Sequence, residues 1–156
     1  MRPAALAATL AGPAGLLRRG VDRAAKALFL LAAAPLVVRS ALRVARLARP
    51  GDLRSLPPAL RSVPPLRVAA LRRPDWLDGA AVRLLPLLPP RGYGRCMKRS
   101  LVLLDLWSRC GLEPRLHLGV RRPGESALEG HAWVTVGDPR LDRRTGPGGW
   151  EEMWSG

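Results

Sequence analysis

The chain has 156 residues, of which 47% are hydrophobic, with a formal net charge of +14. That is enough apolar material for one domain with a real core and a smaller appendage, and it excludes a disordered polar chain. The charge invites a nucleic-acid reading, but the basic residues are almost all Arg, with Lys only at Lys26 and Lys98, and no basic run is interleaved with aromatics as a base-stacking surface requires. Nucleic acid is therefore discounted as a partner, while a basic face for an acidic peptide or phospholipid stays open.

Met1 to about Gly20 is rich in Ala, Leu and Gly, is interrupted by Pro3 and Pro13, and reads as loosely ordered. Val21 to Arg49 reads as a helix. Leu28, Leu31, Pro35, Val38, Leu42 and Ala45 recur at steps of three and four, while Arg39, Arg43, Arg46 and Arg49 gather on another face. Pro35 is expected to kink or split this helix, and Pro50-Gly51 to stop it. Its most apolar run, Ala27 to Val38, falls short of the roughly 20 residues a spanning helix needs and starts late for a signal peptide. A packing helix is the first reading, a membrane-surface helix the second and a signal segment the third.

Asp52 to Pro90 is punctuated by Pro57-Pro58, Pro64-Pro65, Pro74, Pro86 and Pro89-Pro90, so its helices must be short. Leu66 to Arg73 and Trp76 to Leu88 are the candidates, the second capped by Asp75. The boundary falls near Pro74: residues 1–73 form a helical, Pro-interrupted accessory region and residues 74–156 the part that carries chemistry.

That part opens on a Gly-Tyr-Gly turn at Gly92-Tyr93-Gly94. A helix follows from about Arg95 to Cys110, apolar over so wide a surface that it belongs at the centre of the fold, and Gly111 closes it. Arg115 to Val120 alternates as a strand, with Leu116, Leu118 and Val120 on one side and His117 facing the other way as a surface residue. Arg121 to Glu129 is a loop. His131 to Val136 is a second strand, with Ala132, Val134 and Val136 toward the core. Gly137 to Arg140 turns the chain, and Leu141 to Arg144 can pair back as a hairpin. The Gly-rich tail carries Trp150 and Trp154, which either stay loose or dock on the body. Trp107 and Trp133 read as packing residues.

Two cysteines remain, Cys96 and Cys110. On one helix they stand about 20 Å apart, too far for a disulfide. Free thiols fit a reducing, cytoplasmic setting, and the Cys and His spacings make no zinc site. Cys96 opens the central helix, where the positive end of the helix dipole, orphan N–H groups, Arg95 and Lys98 all suit a nucleophilic thiol. Its backbone N–H, with that of Met97, can face a developing oxyanion. His131 can act as general base, oriented by an acid that follows it, Asp142 or Asp138. Cys110, at the other helix end, reads as a small core residue.

Cys96 with its aliphatic helix, the run Arg109 to Arg121, and Gly130-His131-Ala132-Trp133-Val134 resemble the transglutaminase-like cysteine protease superfamily. Within it they are similar to the leader peptidases of lasso-peptide biosynthesis, the microcin J25-processing type. The resemblance covers roughly Tyr93 to Asp142. It implies an α+β fold: a papain- or transglutaminase-like core in which the Cys-bearing helix packs on a small antiparallel sheet, preceded by a helical N-terminal region. It implies Cys96 as nucleophile, His131 as base and Asp142 as third member, with Asp138 the alternative. Tyr93 stands near where the family often carries Trp, Met97 where it often has Leu, and Thr135 where it often has an acid. No cofactor or metal is implied. The implied partners are a precursor peptide, a separate leader-recognition protein and an ATP-dependent lactam synthetase. A transglutaminase-like acyl transferase and a non-catalytic basic binding module are the alternatives.

Overall fold

The computed structural model describes residues 13–47, 54–88, 93–122, 128–137 and 150–156, with side chains from residue 21 onward. Among the described residues four α-helices precede three strands: α1 (Pro13–Leu47), α2 (Leu56–Arg61), α3 (Pro74–Leu84), α4 (Arg95–Arg109), β1 (Arg115–Arg121), β2 (Glu129–Thr135) and β3 (Glu151–Ser155). The strands form one antiparallel sheet in the order β2-β1-β3. The fold is thus α+β, a helix-rich body on a small antiparallel sheet.

The central element is α4. Leu101 to Leu104, Leu106 and Trp107 are all buried to within 1% of full burial. Each such side chain contributes about 1.5–3 kcal/mol by leaving water. They are covered from every side: by Val37, Ala41 and Val44 of α1, Leu56 and Leu60 of α2, Leu77 and Ala81 of α3, and Leu116 and Val134 of the sheet. One core therefore runs across Pro74. Gly94 starts α4, and Gly111, at φ 82°, turns the chain out of it in a conformation that glycine adopts without steric cost.

Several local expectations are corrected. Residues 13–20, read as loosely ordered, belong to α1, which runs unbroken through Pro35. Pro35 lies on the exposed side, where water can satisfy the carbonyl that its missing N–H leaves unpaired. The face that packs is Ala33, Val37, Ser40, Ala41 and Val44, whereas Leu28 and Leu31, at 68% and 72% exposure, point outward. Small residues win the inner face because they let α1 lie close on α4, where the Ser40 hydroxyl reaches the Val102 carbonyl (3.4 Å). Arg39 and Arg46 share the outward side with those leucines instead of forming a separate face.

Asp75 does not cap α3. Pro74 occupies the first helical position, Arg73 is the N-cap, and Asp75 sits in the first turn, where a carboxylate still favours the helix dipole. The expected helix over Leu66–Arg73 is only a 3-10 turn at Ala69–Leu71, while α2 forms where no helix was expected, with Pro57 and Pro58 tolerated in its opening positions. The span Trp76–Leu88 divides into the end of α3 and a 3-10 turn at Leu85–Leu87.

The tail docks. It forms β3, which pairs with β1, with a register shift at Leu118 and Gly119. Gly156 exchanges both backbone hydrogen bonds with Leu116 (2.9 and 3.0 Å), and Trp154 packs on the core. The expected returning strand at 141–144 lies outside the described residues, as do Asp138, Asp142, Arg91 and Gly92.

Candidate active site

The start of α4 is built for an anion. No side chain caps it, its first turn carries no acid, and the first intrahelical bond runs from the Lys98 N–H to the Gly94 carbonyl (2.9 Å). The backbone N–H groups of Arg95, Cys96 and Met97 precede that bond and have no partner within the helix. Cys96 is a half-buried free thiol in this turn, flanked by exposed Arg95 and half-buried Lys98. Cationic side chains at a helix start oppose the dipole, so the sequence gives up some helix stability here in favour of an electropositive corner.

One turn on from Cys96, Ser100 is buried and its Oγ donates to the backbone carbonyl of Ala132 (2.9 Å). This bond fastens the N-terminal half of α4 to the beginning of β2, beside His131. The pairing register sets His131 opposite Gly119 and Trp133 opposite His117. Facing residues share a side of the sheet, so these four lie away from α4, while Ala132, Val134 and Leu116 lie toward it. β2 is an edge strand among the described residues. The structure thus brings the strand that bears His131 to α4, while the His131 position itself lies on the face of the sheet away from the helix that carries Cys96.

His131 stacks on two indoles: Trp150, with ring centres 4.8 Å apart and planes at 26°, and Trp133, at 6.2 Å and 17°. Arg121 lies over the other ring system of this group, 4.5 Å from the Trp150 centre. Trp133 is nearly fully buried although it lies on the outer face, because it spreads across Gly119: a Cβ there would come within 2.8 Å of its ring and of the Glu151 carbonyl. His117 faces away from Leu116 and Leu118 as expected but is no bare surface residue. It shares hydrogen bonds with Thr135 Oγ1 (2.7 Å) through Nε2 and with Glu152 (3.0 Å) through Nδ1, and it stacks on Trp133 at 5.4 Å.

A cleft of about 540 Å³ opens on the flank of α4, beside the face that carries Cys96. Val82, Leu85 and Leu88 give it an apolar floor; Tyr93, Arg95 and Lys98 stand at the helix start. Arg99, also on its wall, donates to Asp78 from Nη2 (2.7 Å) and Nε (3.2 Å), which pins α3 to α4 at this point. Met97 turns inward and packs on the core. At the far end of the helix, burial pushes the Cys110 thiol up, and the Arg72 charge draws it part of the way back.

Sequence reasoning named Cys96, His131, Tyr93 and Met97 as site residues and Trp150 as a ring that either stays loose or docks; it gave no part to Ser100 or Glu152. A signal for Ser100 was present, since a residue four after the cysteine shares its helix face. Nothing local marked Glu152 or placed Trp150, which reach the sheet through a pairing distant in sequence.

The fold is thus a central helix with a cysteine in its first turn, fastened through its second turn to a small antiparallel sheet. A model of the transglutaminase-like superfamily matches residues 34–148, well over half the chain, and the chain belongs to that superfamily. The superfamily includes cysteine peptidases and acyltransferases. No curated protein and no solved structure matched the chain.

Proposed function

We propose that this chain is a cysteine peptidase that removes the leader from a ribosomally made lasso-peptide precursor, through a triad of Cys96, His131 and Asp142. The observation that carries the reading is the Ser100–Ala132 bond, which brings the uncapped, electropositive start of α4 to the beginning of the histidine strand. The Cys96 sulfur attacks the scissile carbonyl, and the backbone N–H groups of the first turn receive the oxyanion. His131 holds the thiol proton and passes it to the departing amine, leaving a thioester on Cys96. Water, deprotonated by His131, then releases the leader acid and frees the thiol. The new N-terminal amine is what a lactam synthetase needs for ring closure, and a separate leader-recognition protein would present the precursor. The 540 Å³ cleft, which Tyr93, Arg95 and Lys98 line at the start of the same helix, would take a substrate side chain. A transglutaminase-like acyl transferase uses the same thioester and differs only in an amine replacing water.

The test is precursor cleavage with the recognition protein present. Cys96→Ala and His131→Ala should each abolish turnover, since the pair acts as a unit. Asp142→Asn should be severe, by orders of magnitude, and Asp138→Asn mild. Near-wild-type cleavage by Cys96→Ala or His131→Ala ends the peptidase reading; a reversed Asp pattern moves the third member to Asp138. Isopeptide products formed with an added amine would favour the transferase.

A further inference from the structure

Remote from Cys96, at the opposite end of α4, lies a second cleft of about 620 Å³. Four arginines line it: Arg39, Arg43 and Arg46 from α1 and Arg109 from α4, with no acidic side chain among the described residues on its wall. Their order is set from beneath. Asp105, fully buried, accepts from Arg43 Nη1 (2.8 Å) and from Arg109 Nε (2.9 Å) and Nη2 (3.4 Å), while Arg43 Nη2 donates to the Ala59 carbonyl (2.7 Å). One carboxylate thus anchors two guanidiniums and leaves a net positive charge. Among the described residues no ion pair engages Arg39 or Arg46, and both are exposed.

The cleft is continuous with an apolar stripe. At about 3.6 residues per turn, Val21, Leu28, Leu31, Pro35 and Leu42 fall on the same side of α1 as Arg39 and Arg46, and all are exposed. Leu42 itself lines the cleft. Val21–Leu47 is long and apolar enough to cross a membrane. Its inner face is nonetheless committed to the body through Ala33, Val37, Ala41 and Val44, so a crossing would strip that face from the core. An apolar stripe that ends in clustered guanidiniums matches an amphiphile with an anionic head, and guanidinium forks match phosphate geometry.

We propose that α1 lies along an anionic phospholipid bilayer, with Leu28 and Leu31 entering the acyl boundary and lipid phosphates seated in the cleft of Arg39, Arg43, Arg46 and Arg109. This surface is separate from the thiol site, and the proposal stands whether or not the peptidase reading does. It would hold the chemistry at a membrane face, with the start of α4 a helix length away.

The test is flotation of the full chain with vesicles of phosphatidylglycerol and phosphatidylcholine, against vesicles of phosphatidylcholine alone. The wild type should float with the anionic vesicles and be released by salt. Arg39→Gln with Arg46→Gln should weaken retention roughly 30-fold. Leu28→Gln with Leu31→Gln, on residues 68% and 72% exposed, should weaken it roughly a hundredfold. Circular dichroism checks that both variants are folded. Equal retention by neutral vesicles, or retention unchanged in either variant, overturns the proposal. So does tight, salt-sensitive binding to duplex DNA that the arginine variant loses while vesicle binding is absent. Release from vesicles by millimolar inorganic phosphate, with no leucine dependence, would assign the cleft to a soluble phosphate ligand and overturn the bilayer.

Discussion

Asp105 is the most exacting place to test the packing of the helical layers. Its side chain is 0% exposed, and it holds Arg109, whose side chain is 10% exposed, and Arg43, at 28%. Asp105→Ala leaves both guanidiniums without their acid, and the two differ in how they can respond. Arg43 keeps the Ala59 carbonyl and can lean into the open cleft. Arg109 lines the same cleft, but with its side chain only 10% exposed it has less water to turn to than Arg43. Breaking a buried pair by removing one partner costs about 3–5 kcal/mol. An attraction of about 4 kcal/mol for charges roughly 4 Å apart at an effective dielectric near 20 gives the same scale. For a chain of this size the midpoint of thermal unfolding should fall by roughly 6–20 °C. The assay is urea denaturation at constant pH, with heat as a second probe. The paired control is Asp105→Leu with Arg43→Leu and Arg109→Leu, which removes the uncompensated charges and should recover most of the loss. A loss below about 1 kcal/mol for Asp105→Ala at an unchanged denaturant slope would refute the reasoning, because Arg109 would then have to be solvated in the folded state.

Two further outcomes follow. Brief iodoacetamide treatment near neutral pH should label Cys96 before Cys110, because burial holds the Cys110 thiol protonated while Cys96 opens a helix; peptide mass mapping checks this, and earlier labelling of Cys110 in the folded chain counts against it. Gly119→Ala places a methyl 2.8 Å from both the Glu151 carbonyl and the Trp133 ring, so it should cost about 1–3 kcal/mol and loosen β3, seen as faster amide exchange at residues 151–155; unchanged exchange would mean that the ring moves freely.

The parts of the fold that were legible are those where one pattern dominates. α4 is bounded by Gly94 and Gly111 and is apolar over most of its surface, so its place at the centre followed directly. β1 and β2 alternate, and the inward side of Leu116, Ala132 and Val134 is the one observed. α1 was legible as a helix but not in its orientation. It is apolar on both sides, and periodicity favours the bulkier leucines, whereas close packing on α4 selects Ala33, Ser40 and Ala41. β3 escaped because Glu151-Glu152-Met153-Trp154-Ser155 has no clear alternation, and its stability comes from pairing with β1, a tertiary effect. Of the candidate site, Cys96 and His131 were named from residue type, flanks and resemblance, and the structure describes where each stands. The bond that docks their elements was not, since a serine in a helix gives no sign of the carbonyl it will meet.

The order β2-β1-β3 also bears on how the chain is made. β1 is the middle strand of the sheet and the first of the three to leave the ribosome, yet one of its partners is synthesised only at residues 151–155. Until then Leu118 and Val120 border an unsatisfied edge, and α4 has only part of its cover from the sheet side. Such an edge can recruit a strand from another nascent chain. A chain that loses residues 151–155 would keep that edge open, and it is expected to self-associate.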